Sequence, residues 1–218
     1  MRASLDTNAI IHFYRADLRC IIFDFFDEVF IYEQIRTVEL KNHGEDILEF
    51  VDADIEAGKI KLYTDQELKE NSVLTIFREN VKENRLLYGT GDLGEVYAIS
   101  LAQTLGAHVL VTDDIKQGGP YMSLLQFEDE AIMPFTFADV LILRYLTGKT
   151  DVNQTVAEFN LINYKSNLNW SFRSQVTKFV LRFLTNPYHE SDKDWIYRLA
   201  EEHDIKIKDK LSELIKNI

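Results

Sequence analysis

Carboxylates that follow short apolar runs are the side chains with most chemistry to offer. The chain opens Met-Arg-Ala-Ser-Leu and then turns polar at Asp6-Thr7-Asn8. A second apolar run, His108-Val109-Leu110-Val111-Thr112, ends at Asp113-Asp114. Glu39 lies in Val38-Glu39-Leu40, and Asp92 and Glu95 lie in Gly91-Asp92-Leu93-Gly94-Glu95. Acids brought within a few ångströms repel one another, and their pKa values rise unless a cation neutralises them. The five histidines (12, 43, 108, 189 and 203) lack zinc-ligand spacing, and Cys20 is the single cysteine. An oxygen-only donor set selects a hard ion, Mg²⁺ or Mn²⁺, over zinc. Such an ion polarises a phosphodiester and lowers the pKa of a bound water.

Those acids need elements to bring them together. The first apolar run reads as a strand ending at Asp6, with Thr7 or Asn8 capping a helix that begins Ile10, Ile11, Phe13, Tyr14. Further strands are expected at Asp27–Tyr32, Lys59–Tyr63, His108–Thr112 and Ile132–Phe135. Helices are expected from Gln34, over 45–57 with Gly58 as the stop, over 66–88, over Glu95–Leu105 and over Ala138–Leu146. Gly118-Gly119-Pro120 reads as a loop. Short strands alternating with helices indicate parallel βαβ units, and right-handed crossovers put all strand C-termini on one edge. Open sheets of this kind bind ligands there, so two strands ending in Asp predict one shared crevice. Beyond Gly148 only helices are expected, over 152–164, 171–184, 193–203 and 206–217, the third capped by Ser191-x-x-Asp194. The domain boundary is therefore placed at 148/149.

Composition sets limits. With 218 residues, 46% hydrophobic and 28% charged, the chain is globular and long enough to bury a core. It has no apolar run near the roughly 20 residues of a membrane span. One cysteine and no signal-like N-terminus make a cytoplasmic location the expectation. The net charge of −12 falls entirely in residues 1–149, whereas residues 150–218 carry ten residues of each sign. An acidic first part excludes broad electrostatic adhesion to nucleic acid but leaves metal-mediated contact with phosphate open. From Asn160 to His189 there is no acid, and Lys165, Arg173, Lys178 and Arg182 alternate with aromatics. That pattern suits a single-strand platform. Equally, Phe172, Val176, Phe179, Val180 and Phe183 form one helical stripe, which is core geometry.

Leu-Asp-Thr-Asn at 5–8, Val-Glu-Leu at 38–40, Gly-Glu-x-x-Ala-Ile-x-Leu-Ala at 94–102 and Val-Thr-Asp-Asp at 111–114 resemble, in order and spacing, the motifs of PIN (PilT N-terminus) domains. The resemblance covers about residues 1–148. It implies a three-layer α/β/α domain around a short parallel sheet, here followed by a helical C-terminal extension. It implies a Mg²⁺- or Mn²⁺-dependent endoribonuclease acting through a metal-activated water. Many bacterial members are toxins with an antitoxin partner, and such domains often form homodimers. Asp6, Glu39, Glu95 and Asp114 match the four acids of the family, which would both hold the ion and serve catalysis. Asp113 matches a variable position, and Asn8 one that often supports the first acid. The chain departs from many members in having Glu95 rather than Asp, in a longer 59–90 segment and in its tail.

Each candidate has a plainer role to set beside the chemical one. Asp6 is able to cap a helix, a contribution of about 1 kcal/mol, but Thr7 and Asn8 are better placed for it. Asp92-x-x-Glu95 has capping-box spacing, which leaves Asp92 a secondary metal candidate. Thr112 either contacts phosphate or ends its strand, and Lys116 either binds phosphate or is an ordinary loop lysine. Lys178 and Arg182 are candidate RNA contacts. His12 and His108, on apolar stretches, read as core or rim residues. Two other functions compete with the nuclease. A haloacid-dehalogenase-type phosphohydrolase wants a second Asp where this chain has Asn8. An inactive PIN-like module would instead dock a partner through the helical tail.

Overall fold

The computed structural model describes residues 1–88, 93–126 and 132–218. The chain forms two compact units, Met1–Phe135 and Thr136–Ile218.

The first unit is an α/β layer structure around five parallel strands: β1 (Arg2–Leu5), β2 (Glu28–Tyr32), β3 (Lys61–Tyr63), β4 (Val109–Val111) and β5 (Met133–Phe135). Their spatial order is β3-β2-β1-β4-β5. The strands are nearly continuous apolar runs because helices cover both faces of the sheet. Ala3, Leu5, Phe30, Ile31, Val109 and Val111 are fully buried. Ser4, also buried, donates its hydroxyl to the Ala98 carbonyl at 2.8 Å, tying β1 to the helix Leu93–Leu105. That helix packs on β1, β2 and β4 at the centre of the sheet. Order reverses at β1, whose neighbours are β2 on one side and β4 on the other. The topological switch point therefore lies between β1 and β4, in register at Leu5 and Val111.

Several local expectations are met. Gly58 follows the helix Leu48–Glu56 and Gly106 follows Leu93–Leu105; their φ values of +71° and +61° are the left-handed stops that glycine allows. Others are revised. The polar region 66–88 is two helices, Asp65–Glu70 and Leu74–Tyr88, parted at Ser72 with φ +61°. The first is fixed by a capping box between Thr64 and Glu67. Helices at Cys20–Phe25 and Pro120–Gln126 are too short to show a periodic signal. The segment after β2 begins as a π-helix, Ile35–Leu40, rather than an α-helix.

The second unit is all helical among its elements: Phe137–Leu146, Val152–Lys165, Phe172–Val180 continued by the π-segment Leu181–Thr185, Glu190–Glu202 and Ile207–Lys216. The division falls at 135/136 rather than 148/149, so the Phe137–Leu146 helix belongs with the tail. Its side chains explain why. Phe137 stacks on Phe159 and Trp170, Arg144 pairs with Glu158, and the Tyr145 hydroxyl donates to Glu213. The expected Ser191 cap is also displaced: the helix starts at Glu190 with His189 at the N-cap, so Ser191 lies inside the first turn. Among the described residues no helix is long and apolar enough to cross a membrane.

Candidate functional site

Asp6 stands at the C-terminal end of β1 and at the N-cap position of the helix Thr7–Arg15, in extended conformation (φ −82°, ψ 158°). Its carboxylate makes no capping hydrogen bond. The cap was expected at Thr7 or Asn8, but Thr7 is already the first helical residue and the N-cap position falls to Asp6, whose side chain does not serve as the cap. Its backbone N–H donates to the Val111 carbonyl at 2.9 Å, extending the β1–β4 ladder by one bond. Its Oδ2 accepts a hydrogen bond of 3.1 Å from the Thr112 hydroxyl, and both residues are buried. The Thr112 oxygen in turn accepts the Asp114 backbone N–H at 3.3 Å. Thr112 thus both ends its strand and links the two strand-terminal acids, which is a positioning task rather than the phosphate contact considered for it.

Asp114 lies in the loop after β4 and shares a cation with Glu95 from the first turn of Leu93–Leu105. The Lys116 ammonium lies 2.6 Å from Asp114 Oδ2 and 3.2 Å from Glu95 Oε2. Asp114 Oδ1 also accepts the Lys116 backbone N–H at 3.0 Å. Glu95 is 2% exposed and the Asp114 side chain 21%, so burial alone would push such carboxyls upward. For Asp114 burial is outweighed chiefly by the hydrogen bonds from the Lys116 ammonium and the Lys116 backbone N–H, which hold its pKa below the usual range. Lys116 moves the other way: burial disfavours its charge, but Asp114 and Glu95 hold the ammonium well above its ordinary pKa.

The remaining candidates are placed less centrally. Glu39 is half-buried on the π-helix Ile35–Leu40, which packs against Leu93–Leu105. π-Turns are rare and recur at functional sites. Asp113 points its Oδ2 to within 2.6 Å of His12 Nδ1, a contact in which the carboxylate is nearly inaccessible. Asp113 is thereby held on the first helix, and His12, read from sequence as a core or rim residue, is its partner. The signal for His12 was present in the polar positions Asn8, His12 and Arg15, which break an otherwise buried helix at spacing i, i+4, i+7. Asn8 is half-buried and makes no side-chain hydrogen bond among the described residues, so the expected support of Asp6 comes from Thr112 instead. Asp92 lies outside the described residues.

The tail residues divide. Lys178 is exposed. Arg182 is not available to RNA: it is 4% exposed, donates to Asp192 Oδ2 at 3.1 Å and lies 4.5 Å from the Phe183 ring centre. The aromatics follow the stripe reading. Phe159 and Phe172 stack at 4.4 Å, Phe179 and Phe183 meet at 4.6 Å, and all four are buried. They form core rather than a base-stacking surface.

The donor chemistry fits a hard divalent ion, because Asp6, Glu95 and Asp114 offer only carboxylate oxygens at one sheet edge. The arrangement fits less completely. Among the described residues no three acid, histidine or cysteine side chains converge closely enough to hold a metal. Two do converge, Glu95 and Asp114, and the cation they hold is Lys116. Comparison with protein-family models, curated proteins and solved structures finds no match to this chain.

Proposed function

We propose that the first unit is a divalent-metal-dependent ribonuclease of PIN type, using Mg²⁺ or Mn²⁺ to hydrolyse RNA phosphodiesters. The observation that supports this most strongly is the junction at the switch point. Asp6 follows β1 and Asp114 lies just beyond β4, the adjacent parallel strand; the two are linked through Thr112, and Asp114 shares Lys116 with Glu95 from the central helix. Asp6, Glu95 and Asp114 would hold the ion, and Glu39, on the π-helix that packs against Leu93–Leu105, would be the fourth acid. A bound divalent ion would supply charge stabilisation at the phosphodiester and an activated water. Burial of Asp6 and Glu95 keeps their carboxylates poorly hydrated, so they interact strongly with a cation or a developing charge. Thr112 fixes the Asp6 rotamer, and the Asp113–His12 pair anchors the start of the loop that carries Asp114.

The test is RNA cleavage in Mn²⁺ by the wild type and by Asp6→Asn and Asp114→Asn, with calorimetric Mn²⁺ titration of all three proteins. Saturable Mn²⁺ binding and cleavage in the wild type, both lost in both variants, are expected. Cleavage that survives EDTA, or survives Asp6→Asn, would sink the reading.

One observation favours a second function, an inactive PIN-like interaction module. The Glu95–Asp114 pair already holds a cation from its own protein, the Lys116 ammonium. Under that reading the wild type binds no Mn²⁺ up to millimolar concentration, and Asp6→Asn changes nothing but stability.

A further inference from the structure

Lys116 is built into the acidic edge by more than charge. Its backbone N–H and its ammonium both bond to Asp114, so the residue closes a tight turn on its own neighbour. The ammonium then bridges to Glu95, which comes from a different element. Gly119 makes room for this course of the side chain. A Cβ at Gly119 would stand 3.1 Å from Lys116 Cγ and 3.4 Å from its Cε, closer than side chains pack without yielding. Gly118 beside it adopts φ +79°, a conformation that turns the loop back toward the lysine and that favours glycine. Yet Lys116 remains half exposed, whereas Glu95 is buried. A half-exposed ammonium is readily rehydrated once it leaves, but a buried carboxylate pair left empty would repel, so release calls for another cation to take its place.

We propose that Lys116 is a tethered resident cation, which partly neutralises Glu95 and Asp114 in the metal-free protein and is displaced by the arriving divalent ion. The proposal rests on the metal-site reading above and deepens it. Its consequences follow from charge and competition. One ammonium partly neutralises two carboxylates, so the free protein folds without a metal. A divalent ion offers two charges at the same place and releases the lysine to solvent, where it is free to meet a substrate phosphate. Because only the fraction of molecules with the lysine withdrawn is competent, the apparent metal affinity is lowered by that fraction.

The test is a calorimetric Mn²⁺ titration of the wild type, Lys116→Met and Gly119→Ala, each verified as folded by circular dichroism. Lys116→Met keeps the length of the side chain and removes the ammonium; it is expected to bind Mn²⁺ about 10-fold tighter or more, as expected when a competitor is removed. Gly119→Ala crowds the same side chain and is expected to shift affinity in the same direction by less. Should Lys116→Met not fold, Gly119→Ala carries the test alone. A direct readout accompanies the titration: the ¹⁵N-labelled Lys116 ammonium resonance, hydrogen-bonded in the free protein, is expected to revert to a solvent-exposed signal on addition of Mg²⁺. Wild-type binding with an equal or weaker Lys116→Met affinity, or an ammonium signal unmoved by Mg²⁺, would overturn the resident-cation proposal and leave the metal site standing. No Mn²⁺ binding by wild type, Lys116→Met or Gly119→Ala would overturn both.

Discussion

The two units handle buried charge in opposite ways. In the helical unit cations and acids are matched one to one and sealed. Arg144 meets Glu158 at 2.8 Å with both side chains under 10% exposed, and Arg182 meets Asp192 at 3.1 Å with both under 7%. At the sheet edge of the first unit a single half-exposed ammonium is shared by two carboxylates from different elements. A sealed pair has one state, since either partner alone would be a bare charge in a low-dielectric interior. A shared, half-exposed cation can be exchanged, because an incoming cation of higher charge takes over both carboxylates while the ammonium moves out to water. The first arrangement suits structure and the second suits exchange, which is why buried acids of identical type deserve different assignments.

The sharpest way to break that contrast is to cut a sealed pair. Arg144→Met should lower the stability of the helical unit by about 3–5 kcal/mol, because Glu158 is left buried and unpaired. The double variant Arg144→Met/Glu158→Leu should recover most of that loss, since apolar replacement of a whole pair is often neutral or better. Arg144 Nε, buried with no hydrogen-bond partner among the described residues, adds to the gain from removing the guanidinium. Urea unfolding of the three proteins decides it. A cost below 1 kcal/mol for Arg144→Met would mean the pair is not sealed.

The sheet edge should answer to a different kind of cut. Thr112→Val keeps volume but removes the hydroxyl that joins Asp6 to the Asp114 backbone. Stability should fall by only about 1 kcal/mol, the net worth of an ordinary hydrogen bond. Mn²⁺ affinity should fall roughly 10- to 100-fold, as for loss of a group that orients metal ligands. Calorimetry and urea unfolding on one sample separate the two quantities. Equal losses in both would show that Thr112 serves the fold alone.

Much of this edge was legible in the sequence. Apolar runs ending at Asp6 and at Thr112 announce parallel strands with acids at their C-termini, and the sheet places them side by side. Glu95 was legible because an acid opening an otherwise apolar helix needs a partner. What escaped was relational. The link from Lys116 to Glu95 spans 21 positions and depends on a loop path that Gly118 and Gly119 permit, which no local periodicity encodes. The Asp113–His12 pair joins two elements 101 positions apart. The boundary at 135/136 was hidden because the Phe137–Leu146 helix has the same composition whichever unit claims it. Its allegiance is decided by Phe137, Arg144 and Tyr145 meeting partners far down the chain. The basic and aromatic tail offered two patterns at once. Burial of Phe172, Phe179, Phe183 and Arg182 chose the core pattern.

A gentler perturbation tests what the two units have in common. Each places tyrosine hydroxyls on carboxylates: Tyr14 on Asp54 at 2.9 Å and Tyr32 on Asp65 at 2.8 Å in the first, Tyr145 on Glu213 at 2.8 Å in the second. Burial, then the hydrogen bond to the neighbouring acid, pushes all three phenols well above their ordinary pKa. A tyrosine is neutral when protonated, so a raised folded-state pKa keeps the proton on in the native protein while the unfolded chain loses it near pH 10. The native state then binds more protons than the unfolded one, and stability falls as pH rises above about 10. Below that window the three groups contribute no pH dependence. Urea midpoints measured from pH 8 to 11 should be level at first and then decline. Tyr14→Phe and Tyr32→Phe should flatten the decline of the first unit, and Tyr145→Phe that of the second. A midpoint that stays level to pH 11, or a decline untouched by all three replacements, would mean that these phenols ionise as readily in the native protein as in the unfolded chain.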